Sequence, residues 1–218
     1  MTRLRGAAII AFWLHLLAGA AMALVLSHGL ETNPDFQNRL TFIVKHTALW
    51  TSSWLTWTAA AIAILYFYSS LASEHQTGKL AVLLAAAAIA PDLSAQAIEI
   101  GVLPAIAERV LNTNAGMDLF LALHRAAVMM SGYVANGLYS FSALSLAWGT
   151  RRAYPVWVWT AGMAAGFFGF ALSAAALADS AAGMFWTNVV LVPSILLWLA
   201  GVAMNQGTNS GGRLPVQI

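Results

Sequence analysis

Six runs of this chain, residues 7–27, 47–72, 80–103, 119–148, 156–178 and 185–204, are long and apolar enough to cross a bilayer as helices. A helix rises about 1.5 Å per residue, so roughly 20 mainly apolar residues span the hydrocarbon core. Within oil each backbone N–H and C=O must find its partner inside the structure, and a helix provides this along its own length. Composition agrees: 60% of the 218 residues are hydrophobic and 8% are charged, against about 25% charged in soluble domains. The sequence therefore predicts an all-α polytopic membrane protein, a bundle of six transmembrane helices in a plasma or inner cell membrane. Residues 1–206 form its single domain, and residues 207–218, rich in Gly, Asn and Ser, read as a flexible C-terminal tail.

The positively charged start and first apolar run are signal-like, but the run exceeds a signal core of roughly 7–15 residues, so a retained span is expected. Two connections are longer than the rest. Residues 28–46 are polar and contain the turn signal Asn33-Pro34-Asp35; residues 104–118 hold one or two turns of surface-lying helix. Lys and Arg collect on cytoplasmic loops. With the N-terminus inside, Arg3, Arg5, Lys79, Arg151, Arg152 and Arg213 fall inside, while Arg39, Lys45 and Arg109 fall outside. This predicts both termini in the cytoplasm, as an even number of spans requires.

One stretch does not suit hydrocarbon. "APDLSAQAIEIG", from Ala90 to Gly101, places Asp92, Gln96 and Glu99 at i, i+4 and i+7, on one helical face. A carboxylate facing lipid costs several kcal/mol, so this stripe points into the bundle or a watery cavity. Pro91 removes a backbone donor beside Asp92 and predicts a kink there. Glu99 lies about 10 Å nearer the outer surface than Asp92.

The partners expected for this stripe come from the fourth run, which enters from outside. His124 and Arg125 lie a turn or two below that surface, and Arg125, Gly132, Asn136 and Tyr139 fall on roughly one face. Glu99 with Arg125 would also make a structural ion pair. A neutral Asp92 hydrogen-bonded to Asn136, Tyr133 or Ser140 would satisfy the same physics without any function. In the second run, His46, Trp50, Trp54 and Trp57 make one inward-running stripe; Trp50 reads as an interfacial anchor, whereas Trp54 and Trp57 either pack the interior or line a ligand. His15 reads as a hydrogen-bonded core histidine, and His28 as a loop residue. Gly162 and Gly166 form a small-xxx-small pair suited to close helix approach, either as a helix-packing face or toward a second copy.

Several chemistries are excluded. The chain has no cysteine, hence no disulfide, thiolate metal site or cysteine nucleophile. It lacks a P-loop, H-E-x-x-H and G-x-S-x-G, and no lysine sits mid-span. A net charge of +2 without a basic run does not suit nucleic acid. The expected function is non-enzymatic: small-molecule or proton-linked transport or binding at a buried site between the third and fourth spans, open to the outer face. Its residues are Asp92, Gln96, Glu99, His124, Arg125, Asn136, Trp54 and Trp57. Two alternatives stand beside it. The chain is a non-catalytic accessory subunit of a membrane complex, or it is a redox protein binding haem or metal through His46 and His124. No cofactor is otherwise expected.

Overall fold

The computed structural model describes residues 2–205, and all regular structure among them is helical. The expected tail, and Arg213 with it, lies outside the described residues. Helix α1 spans Arg3–Leu24, α2 Phe36–Lys45, α3 Thr47–His75, α4 Lys79–Gly101 and α5 Leu103–Thr113. After these come α6 (Met117–Val128), α7 (Asn136–Gly149), α8 (Val156–Leu177) and α9 (Ala181–Asn205). A π-helical segment, Met129–Ala135, joins α6 to α7 without a break in the rod.

Five helical stretches are long and apolar enough to cross a membrane: those beginning at Arg3, Thr47, Lys79, Val156 and Ala181. The fourth apolar run of the sequence is helical too, but the π segment divides it into α6 and α7, of 12 and 14 residues. Each rod packs on its neighbour in the chain: α1 on α3, α3 on α4, α4 on the α6–π–α7 rod, that rod on α8, and α8 on α9. Helix α9 returns to α1 and closes the ring.

One end of the ring is basic, with Arg3, Arg5, Lys79, Arg151 and Arg152 at helix termini or in connections and Glu74 as the acid among them. Small and aromatic side chains fill the half of the bundle below it. Ala7, Ala8 and Ala11 of α1 meet Phe67 and Tyr68 of α3, Leu146 of α7 and Trp198 of α9. Gly162 and Gly166 belong to this interior packing. A Cβ on Gly162 would lie 2.7 Å from the Trp198 ring and 2.8 Å from Ala147 Cβ, and one on Gly166 would lie 2.9 Å from the Ser140 carbonyl. Their close approach is therefore used within the chain, correcting the expectation that they offer a face to a second copy. Trp13, Leu17, Leu83, Phe167 and Trp186 point outward, as lipid-facing residues do.

The other end carries a cap built from the two long connections, which fold into helices α2 and α5. Residues 28–46 contain α2, three turns long, started by Asp35 Oδ1 accepting from the Asn38 N–H at 3.0 Å. Phe36, Leu40 and Ile43 give α2 an apolar face, and Leu103, Ala107 and Val110 give one to α5. These faces close on each other and on Leu26, Trp50 and Phe120, a core distinct from that of the basic end. The period was present in the sequence; overall polarity hid it.

Candidate functional site

Asp92, Gln96 and Glu99 all lie on the buried face of α4, with 7%, 3% and 2% of their surface exposed. Pro91 sits inside a helix that continues through it from Lys79 to Gly101. The acid face is covered by four elements: α3, α6, the π segment and α7.

The inner tier is centred on Asp92. Its Oδ1 accepts from Ser131 Oγ at 2.7 Å and from Gln96 Nε2 at 3.3 Å, and its Oδ2 accepts from Tyr139 Oη at 3.4 Å. Gln96 Oε1 accepts in turn from Thr58 Oγ1 of α3. Three neutral donors thus hold the carboxyl, with no cation among its hydrogen-bonding partners. Next to Tyr139, a cavity of about 20 Å³ is lined by Tyr68, Asn136, Ser140 and Ala143 among others. That is room for about one water.

The outer tier is a buried acid–histidine pair. His124 Nδ1 and Glu99 Oε1 are 3.0 Å apart, and both residues are 2% exposed. The imidazole stacks on Phe120, 6.0 Å between ring centres. On its far side, His124 Nε2 lies 3.6 Å from Glu31 Oε1, whose side chain is 26% exposed. Arg39 of α2 is buried too, donating from Nε to the Gly29 carbonyl at 3.2 Å. Burial pushes its guanidinium below the usual value, while the carboxylates of Glu31 and Glu99 act the other way. Three buried polar atoms here, Glu99 Oε2, His124 Nε2 and Arg39 Nη2, make no hydrogen bond to any described residue.

Trp50 is fully buried rather than an interfacial anchor. Its Nε1 donates to the Glu99 carbonyl at 2.8 Å, in the last turn of α4 where carbonyls lack helical partners. Trp54 stands edge-on to Trp50 at 5.8 Å, and Trp57 edge-on to His15 at 6.5 Å. The indole Nε1 atoms of Trp54 and Trp57 are buried without a hydrogen bond to a described residue. His15 Nδ1 lies 2.8 Å from the Ala11 carbonyl, the self-contained core histidine the sequence suggested.

Two expected members of the site lie elsewhere. Arg125 turns to α8, where Nη1 and Nη2 donate to the carbonyls of Ala176 and Leu177 at 2.7 and 3.2 Å and Nη1 pairs with Asp179 at 2.8 Å. Asn136 Nδ2 likewise donates to the Gly169 carbonyl at 2.6 Å and to Ser173 Oγ at 3.2 Å. Neither partners Glu99 or Asp92. The face meeting α4 is His124–Ser131, spaced i, i+7; Arg125 and Asn136 occupy the neighbouring face, about 100° round. His46 is exposed and rests on Phe42, 5.1 Å between ring centres, and His28 also lies against that ring at 5.3 Å. His46 and buried His124 therefore do not share a ligand site. No group of three metal-binding side chains occurs among the described residues.

Glu31, Arg39, Thr58 and Ser131 complete the site and were not anticipated. Arg39 carried a signal, since it shares the buried side of α2 with Ile43 at i, i+4. Glu31 carried none, because a loop acid looks solvated. Comparison with protein-family models, curated proteins and solved structures gives no match to this chain.

Proposed function

We propose that this chain is a six-span membrane protein, the α6–π–α7 rod serving as one interrupted span, with both termini cytoplasmic and the α2–α5 cap outside. The basic end supports that orientation, because Lys and Arg are retained on the cytoplasmic side. Its function on this reading is proton-linked transport through the column of polar side chains along α4. One observation carries the proposal: two buried titratable side chains, Glu99 and His124, meet at 3.0 Å on the face that also holds buried Asp92. Ionisable groups at such depth mark ion or proton paths by default. The space beside the column favours protons over an organic solute. Small-molecule sites take about 300–1,000 Å³, and the cavity at Tyr139 is about 20 Å³. A larger groove of about 230 Å³ lies on the outside of α1 and α9, lined by Arg5, Phe12 and Met204 among others, away from the column.

The test is proton flux into liposomes that contain the purified protein and an entrapped pH dye, driven by an imposed membrane potential. Wild-type protein conducts, and Glu99→Gln and Asp92→Asn each reduce the flux at least about tenfold, the scale on which positioned acids and bases act. Flux that is absent in the wild type, or unchanged in both variants, removes the proposal.

A further inference from the structure

Glu99 and His124 are each 2% exposed, so a proton must pass through a neighbouring group to reach them. Every charged or titratable group around the imidazole has a known place. Glu99 faces it from α4, Arg39 stands in the cluster from α2, and Glu31 faces it from the loop preceding α2. Phe120 covers the ring from α6 itself. Of these, Glu31 is the group with its side chain in contact with both water and the imidazole, at 26% exposure and 3.6 Å.

We propose that Glu31 is the proton-collecting residue of the site, passing protons from the cap surface to Glu99 through His124. The inference rests on the proton-linked reading above and names the way in. In the forward step, the protonated Glu31 carboxyl breaks its O–H bond and a new N–H bond forms at His124 Nε2. The imidazolium then releases the proton on Nδ1 to Glu99 Oε1. Glu31 is left as carboxylate, Glu99 as neutral acid, and the imidazole as its Nε2–H tautomer. Imidazole suits this role because its two nitrogens bind and release protons on opposite edges near neutral pH. The 3.6 Å separation exceeds a hydrogen bond, but Glu31 sits in a turn and is partly exposed, so a rotation of its side chain closes the gap. Arg39, beside both acids, limits the charge that accumulates as the proton moves.

The absence of cysteine from the chain permits a direct test. Glu31→Cys is introduced alone, reconstituted, and treated from the cap side with methanethiosulfonates carrying a carboxyethyl, a sulfonatoethyl or a methyl group. Untreated Glu31→Cys loses proton flux at least about tenfold, the scale of a positioned acid–base group. The carboxyethyl adduct restores it to within about threefold, and the other two leave it low, because a sulfonate carries charge but does not hold a proton at these pH values. Unchanged flux in Glu31→Cys, or any pattern in which the carboxyl adduct is not the one that restores it, overturns the inference. A sulfonate that restores as well assigns Glu31 a purely electrostatic role. Loss of flux in Glu99→Gln with Glu31→Cys unaffected overturns this inference alone; absence of wild-type flux overturns both.

Discussion

Trp50 shows how one side chain binds the cap to the bundle. Its ring is wholly buried among residues of α2, α5 and α6, and its N–H serves the Glu99 carbonyl where α4 ends. Helix termini leave carbonyls without partners, and a buried one costs about 1–3 kcal/mol if its donor is removed. Trp50→Phe keeps most of the ring volume and removes the donor. The expected loss is about 1–3 kcal/mol, read as a lower midpoint of unfolding in detergent, together with altered flux because Glu99 loses its backbone anchor. A neighbouring indole offers the control, since Trp54 Nε1 bonds to no described residue. Trp54→Phe leaves the midpoint nearly unchanged.

Among the elements, the π segment most directly shapes the site. A π turn takes up an extra residue while the helix on either side keeps its packing. Here α6 packs on the cap and α4, α7 packs on α4 and α8, and the seven residues between them bring Ser131 to Asp92. Deleting Met130 lets the segment tighten toward α-helix with α6 and α7 still seated. The variant should fold and melt near the wild-type temperature while proton flux falls, because Ser131 leaves Asp92. Deleting Ala165 from the regular helix α8 removes a residue with no such slack and rotates the following half of that helix by about 100°. Misfolding, seen as aggregation on size-exclusion chromatography, is expected there. Equal behaviour of the two deletions would refute this account of the segment.

For the whole molecule, the closed ring depends on small residues where α7, α8 and α9 meet. Without water to drive apolar association, helices in lipid hold together by close packing. Gly162 is the tightest of these positions that touches two neighbours, with Trp198 of α9 and Ala147 of α7 both inside van der Waals distance of an added methyl. Gly162→Ala should cost about 1–3 kcal/mol by overpacking, measured as unfolding in mild detergent. It should leave oligomeric state unaltered, because the glycine face is internal. The cap adds a second, separate core at the opposite end, so its loosening would expose Glu99 and His124 without opening the ring.

The apolar runs by themselves determined that the chain is helical and built for lipid, because length and hydropathy are local properties that hydrocarbon reads directly. The spacing of Asp92, Gln96 and Glu99 likewise determined that they share a face and that the face is buried, since no lipid-facing alternative is affordable for two acids. Which residues answer that face was decided only by tertiary structure. His124 and Arg125 are adjacent in sequence and both polar, and a rotation of about 100° sends one to Glu99 and the other to Asp179. Glu31 and Arg39 enter the site because α2 and α5 fold back over the end of the bundle. That docking joins segments nearly sixty residues apart; each records an apolar face, and neither records which partner that face meets.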